Sequence, residues 1–146
     1  MPETLPMTGA FLEDLTVGQS AELTRTVAEG DLAAFAAVTG DDNPIHLDEV
    51  YAAATPFKGR IAHGMLSAGY ISAVLGTKLP GPGAIYVSQT LSFRRPLRIG
   101  DAVTASAKVT AIDEAKGRVT FATEARVAGR VVVEGEAVVV VPRRAA

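Results

Sequence analysis

The chain has 146 residues, enough for one domain with a real core, and 48% of them are apolar, which excludes a disordered polypeptide. Lys and Arg number 14 against 16 Asp and Glu, a formal charge of −2, so no general attraction to nucleic acid or to an anionic membrane surface is expected. There is no cysteine, hence no disulfide, no thiolate nucleophile and no cysteine-ligated metal.

The first residues, "MPETLPMTGAF", carry neither a basic stretch nor an apolar one of the secretory kind, and a cytoplasmic protein is expected. The most apolar run, "VVVEGEAVVVV", is broken by Glu134 and Glu136 and is too short to cross a bilayer as a helix.

In chain order, "AELTRTVA" alternates weakly from Leu23 to Val27 and reads as an opening strand. "DLAAFAAVTG" is Ala-rich and reads as a helix, with Asp31 as N-cap and Gly40 as its stop. A polar knot, "GDDNPIHLD", follows from Gly40 to Asp48. Asp48 then caps a short helix in "DEVYAAAT", which Pro56 ends. In "GRIAHGMLSAGYISAVLGTKLPG", Ile61, Met65, Ala68, Ser72 and Leu75 fall on one helical face. Ala62, Leu66, Tyr70 and Val74 make the other faces apolar too, so the expected helix is a buried one.

The second half reads as strands. "AIYVSQTLSFRRPL" alternates with Ile85, Val87, Gln89, Leu91 and Phe93 on one side. "AVTASAKVTAI" places Val103, Ala105, Ala107 and Val109 together, and "GRVTFATEARVAG" does the same with Val119, Phe121, Thr123, Ala125 and Val127. "RVVVEGEAVVVVP" closes the chain, and Gly100, Gly117 and Gly129 mark the short links. Consecutive strands with short turns predict an antiparallel meander, and one long buried helix ahead of it predicts an α+β layer in which the sheet wraps the helix. No linker or internal repeat divides residues 1–146, so a single domain is expected. The Val-rich last strand would be an aggregation hazard as a free edge, which a homodimer would remove.

The chemistry concentrates in two places. Asp41 and His46 flank Pro44 in a turn that can fold both side chains toward one water, a plausible acid–base pair. The competing reading is plain: "DDNP" is ordinary turn composition, its side chains bonding local backbone, and Asp42 is taken as such a residue. The second place is "IAHGM". Gly64 at a helix start offers an unpaired N–H to an oxyanion, with no Cβ to hold a substrate carbonyl away. His63 reads as a helix-start residue bonded to backbone, or as a support. Ser72 sits further along the same helix. "DDNPIH" fails the calcium-loop pattern, and the spacing of His46 and His63 matches no common zinc site. Neither a G-x-G-x-x-G fingerprint, a phosphate-binding P-loop nor a G-x-S-x-G elbow is present.

Taken together, these residues resemble the MaoC-like hydratases and dehydratases. That family carries a D-x-N-P-x-H motif, here "DDNPIH" from Asp41 to His46, then an "AHGM"-type helix start, here Ala62 to Met65. "SQTLSFRRPLRIGD" is similar to its strand and turn beyond the helix. The resemblance spans roughly Leu15 to Pro142 and is strongest to the (R)-specific enoyl-CoA hydratases. It implies a hot-dog fold and a homodimer with joined sheets. It implies Asp41 as catalytic acid/base, His46 as its partner, the Gly64 N–H as the ligand of the thioester oxygen, and Ser72 as an active-site serine. Asn43 would brace the motif turn.

The implied reaction is addition of water across a trans-2-enoyl-CoA to give an (R)-3-hydroxyacyl-CoA, and its reverse. No metal or redox cofactor is called for, coenzyme A being part of the substrate. Arg94, Arg95 and Arg98 are candidates to meet the CoA phosphates, or else a solvated strand end. Val74 or Leu75 would floor the acyl pocket. Rival readings are a 3-hydroxyacyl-carrier-protein dehydratase, a hydratase of branched or dicarboxylic acyl-CoA, a non-catalytic acyl-CoA-binding domain, and a thioesterase.

Overall fold

A computed structural model describes residues 9–144; the ends of the expected domain, and most of the N-terminal stretch read for a secretory signal, lie outside the described residues. Six strands form one antiparallel sheet: β1 (Ser20–Thr26), β2 (Ile85–Gln89), β3 (Ser92–Phe93), β4 (Ala102–Asp113), β5 (Arg118–Val127) and β6 (Arg130–Val140). The order is β1-β4-β5-β6-β2, with β3 also on β6. The meander expected of the second half is therefore present as β4-β5-β6. Four helices precede β2: α1 (Glu29–Thr39), α2 (Pro44–Leu47), α3 (Glu49–Ala53) and α4 (Gly64–Thr77). The sheet wraps α4, which packs against β4, β1, β5 and β6. This is the hot-dog arrangement. None of the described helices is long and apolar enough to cross a membrane.

Period-two burial builds the core. Val103, Ala105, Ala107 and Val109 of β4 and Val119, Phe121 and Ala125 of β5 are buried against Ile71, Val74 and Leu75 of α4. Each large side chain of this set contributes about 1.5–3 kcal/mol on burial. Gly40 ends α1 in the left-handed region (φ 81°), as expected of a C-terminal glycine. The Asp48 carboxylate accepts from the Tyr51 N–H at 3.0 Å and caps α3.

Several expectations need correction. Asp31 is not the N-cap of α1. The helix starts two residues earlier at Glu29, and the Asp31 carboxylate reaches back to accept from the Ala28 N–H at 2.8 Å. The long helix begins only at Gly64, because backbone bonds from Ile61 N–H to the Ile45 carbonyl and from Ala62 N–H to the Leu97 carbonyl hold the preceding residues extended. Ile61 therefore shares no helical face with Leu75.

The helix is also not buried all round: Met65, Gly69, Ser72 and Gly76 form an exposed stripe, with Met65 53% exposed. Apolar composition fills every face of α4, but the curved sheet covers only some of them.

The run from Ile85 to Phe93 is not one alternating strand. Pairing with β6 slips between Tyr86 and Ser88, and the chain breaks again before β3. The Thr90 carbonyl crosses so close to Gly135 that a Cβ there would lie 1.8 Å from it. Finally, the Val-rich β6 is no edge: it lies between β5 and β2. The edges are β1 and β2, and of the two it is β2 that exposes Ile85 (66%) and Val87.

Candidate active site

The polar knot folds around α2. Asn43 accepts the Ile45 N–H on its side-chain oxygen at 3.1 Å, and Pro44 occupies the first helical position, where its missing N–H costs nothing. Asn43 is thus the cap that braces the turn. Asp41 precedes it, its Oδ1 accepting the Asn43 N–H at 3.3 Å, and His46 follows within the single turn of α2. Asp41 does form the local turn bond of an ordinary turn residue, and it also faces two imidazoles: Asp41, His46 and His63 each bring one side-chain N or O within 4.8 Å of the others. Asp42 takes no part in this grouping.

Hydrogen bonds to backbone carbonyls define both rings. His46 Nδ1 lies 2.7 Å from the Ile61 carbonyl oxygen. A carbonyl can only accept, so Nδ1 carries a proton, which in the uncharged tautomer leaves the lone pair on Nε2. His63 Nε2 lies 2.9 Å from the carbonyl oxygen of Asp41, so there the proton sits on Nε2. The two rings stack with centroids 3.8 Å apart. As a metal site the trio is poorly shaped. A metal bound in the plane of one stacked ring lies out of the plane of the other.

His63 also immediately precedes α4. The N–H of Gly64, first in that helix, has no intrahelical acceptor and carries the positive end of the helix dipole. A Cβ at Gly64 would lie 2.9 Å from two ring atoms of Phe93, so glycine is what lets that ring lie over the helix start. The sequence therefore places donor and dyad on separate segments, and His63 ties them together.

Gly64 and its neighbour Met65 line different grooves. One, of about 310 Å³, runs past Gly64, Phe57, Phe93, Arg94 and Arg95. The other, of about 360 Å³, is lined by Phe35, Met65, Ala68, Ser72, Tyr86 and Leu91, among others. Burial raises the Tyr86 hydroxyl above the usual phenol range, with Ser72 pulling it back down, and the hydroxyl donates to Gln89 Oε1 at 2.8 Å. A larger hollow of about 630 Å³ among Ser106, Lys108, Glu124 and Glu134 lies away from the dyad.

Of the sequence-derived residues, the fold brings Asp41, His46 and Gly64 to one corner, and Ser72 to the apolar groove lined by Met65, the residue after Gly64. It does not bring Leu75, which is 2% exposed and packed with Val74 in the core. Arg94 lines the Gly64 groove but pairs with Glu134 at 3.1 Å, whereas Arg95 lines it without an ion pair among the described residues. Arg98 turns away and donates to the carbonyls of Phe57 and Arg60, holding the loop ahead of α4. Phe35, Tyr86 and Phe93 were missed as lining residues, since a lone aromatic in an Ala-rich helix or an alternating strand reads as core.

Comparison with known proteins agrees with this geometry. The family described as "MaoC like domain" matches residues 14–131. The chain is 59% identical over 134 residues to an (R)-specific enoyl-CoA hydratase of Rhodospirillum rubrum, covering 92% of this chain and 93% of that one. It is 51% identical over 134 residues to a 3-hydroxybutyryl-CoA dehydratase of Methylorubrum extorquens, covering 92% and 85%. Among solved structures, the unliganded R-hydratase of Pseudomonas aeruginosa superimposes with a TM-score of 0.88 at 50% identity, covering 93% of this chain and 88% of that one.

Proposed function

Since the chain belongs to the MaoC-like domain family, we propose that it is a hydro-lyase that adds water to trans-2-enoyl-CoA thioesters to give (R)-3-hydroxyacyl-CoA, and runs the reverse dehydration. The observation that carries this reading is the convergence of the Asp41 carboxylate and the His46 ring beside the start of α4.

Asp41 offers carboxylate oxygens and His46 offers Nε2, both acceptors. A water that donates one O–H to each turns its lone pairs toward the substrate. As the oxygen bonds to the β-carbon, one of the pair takes the water's proton, and a proton is returned to the α-carbon. The net change is one water added and no group left over. Negative charge develops meanwhile on the thioester oxygen, where the Gly64 N–H and the dipole of α4 stabilise it. Polarising that carbonyl is what makes the β-carbon electrophilic, so donor and dyad must act on one substrate at once. The groove with Arg94 and Arg95 suits the CoA arm, and the apolar groove with Ser72 suits the acyl chain. This chain's own groups account for every proton moved, and the reading invokes no metal or redox cofactor.

The same reading includes a homodimer. Its support is the unpaired side of β2 with Ile85 and Val87 exposed, beside the exposed stripe of α4. A second copy adding its own β2 would pair that edge and cover apolar surface. We place the enzyme in the cytoplasm, in the metabolism of fatty acyl thioesters; cell fractionation tests the location. The function is tested by following loss of the enoyl-thioester absorbance on adding crotonyl-CoA, with chiral analysis of the product. An (R)-3-hydroxy product supports the reading. No absorbance loss over a range of chain lengths, or an (S) product, rejects it. Comparison of matched CoA and carrier-protein thioesters separates it from a carrier-protein dehydratase.

A further inference from the structure

We propose that His63 is a positioning residue of the reaction, one that locks the Asp41 arm of the dyad to the start of α4 through its Nε2–H. The inference rests on the hydratase reading above.

His63 is 2% exposed, yet a polar imidazole is a costly way to fill that space. Its Nδ1 is buried with no hydrogen-bond partner, so burial leaves one of its two ring nitrogens unsatisfied. A side chain kept only for packing would do better as an apolar ring. What the imidazole supplies that such a ring cannot is the Nε2–H, and it donates to the backbone carbonyl of Asp41 at 2.9 Å.

The placement gives that bond a role. Asp41 lies on an exposed turn after α1, with no regular element of its own to hold it. His63 lies directly before Gly64, whose N–H is the proposed donor to the thioester oxygen. One face of the His63 ring stacks on His46, and Phe35 packs against it with centroids 4.5 Å apart. The ring thus cannot turn freely, and its one donor points at Asp41. His46 is tied to the same segment through the Ile61 carbonyl, and the distance between the Asp41 arm and the oxyanion donor is held through His63. Misplacing a catalytic group by an ångström costs rate far more than it costs binding. His63 touches neither water nor substrate in this scheme.

Two variants separate the donor from the ring. His63→Phe keeps an aromatic ring against His46 and Phe35 but deletes the N–H. His63→Gln loses the ring but can return an N–H to the Asp41 carbonyl. The expected result is a fall of about 10- to 100-fold in kcat for His63→Phe with KM within about threefold, because ground-state binding does not use Asp41. His63→Gln should be several-fold faster than His63→Phe even if it melts at a lower temperature. Wild-type rates in His63→Phe, or a Gln variant no faster than the Phe variant, would overturn the proposal. Nitrogen-15 spectra of the imidazoles give a readout that needs no turnover: His63 should be the Nε2–H tautomer, with that proton protected from exchange. An Nδ1–H tautomer would also overturn it. If the wild-type protein hydrates no enoyl-CoA, the functional reading fails, and the tautomer still decides whether the lock on Asp41 exists.

Discussion

The imidazoles of His46 and His63 stack 3.8 Å apart, tilted by 29°, yet they donate in different directions: His46 to the Ile61 carbonyl and His63 to that of Asp41. One ring is thereby anchored to the strap before α4 with its lone pair free for chemistry. The other is anchored to the residue it must hold. Both anchors are main-chain atoms, which cannot swing away as a side chain could.

Asp41→Asn should lower kcat by roughly 10²–10⁴-fold while leaving the fold intact. The amide keeps the turn bond that Asp41 Oδ1 makes to the Asn43 N–H but cannot accept the water's proton. His46→Gln should fall by a similar factor, and the double variant little further, since groups acting as a unit are not additive. Asp42→Asn serves as the control and should match wild type. Near-normal hydration by a folded Asp41→Asn protein would leave Asp41 as a turn residue only.

Gly64 can be tested for its N–H rather than its size. Gly64→Ala adds a Cβ that meets the half-exposed Phe93 ring at 2.9 Å and must displace it. Gly64→Pro adds comparable bulk and also removes the N–H. Proline is tolerated at the first position of a helix, and the ψ of 131° at His63 suits a residue before proline. If the N–H binds the thioester oxygen, Pro should be slower than Ala by a further factor of about 10²–10³. Equal rates in two folded variants would remove the Gly64 amide from the mechanism.

The assembly can be read from glycines. A Cβ at Gly30 or Gly69 meets nothing within 4 Å inside one chain. On a bare helix, Gly→Ala should gain up to about 1 kcal/mol. Gly30→Ala in α1 should show a gain. If a second copy covers the exposed stripe of α4, Gly69→Ala there should instead lose stability or dimer affinity. Thermal unfolding at several protein concentrations, with light scattering for mass, makes the comparison. A monomer at micromolar concentration with gains at both positions would count against the dimer.

Chain-length selection should respond to the lining of the apolar groove and not to the core behind it. Leu75→Ala opens a core cavity and should cost about 2–5 kcal/mol with no change in the preferred acyl length. Met65→Ala, at an exposed groove position, should cost far less and shift the preference toward longer chains. Activity profiles over enoyl-CoA chain lengths, with melting temperatures, check both. A longer preferred chain in Leu75→Ala would return Leu75 to the pocket.

Much of this protein is determined locally and so is visible in the sequence. The alternation from Val103 to Val109 and from Val119 to Ala125 specifies which face of β4 and β5 is buried, because side chains on a strand have a period of two. Gly40 and Asp48 mark helix ends through bonds to their own neighbours. For Asp41, His46 and Gly64 the spacing alone also allows a plain turn, and it was the resemblance of "DDNPIH" and "AHGM" to family motifs that suggested the chemistry. What needed the tertiary structure were relations between segments distant in sequence. Composition made α4 apolar on every side, but only the curvature of the sheet decides that Leu75 is core while Met65 and Ser72 face a groove. The edge strands are β1 and β2 and not the Val-rich β6, because edge position follows from strand order, which no single strand encodes. His63 looked like an ordinary helix-start residue; its partner, the Asp41 carbonyl, is a main-chain atom 22 residues away, and a backbone acceptor leaves no mark in the sequence. Local periodicity and capping act over a few residues and can be read one segment at a time, whereas the site depends on where separate segments meet, and packing of the whole chain alone decides that.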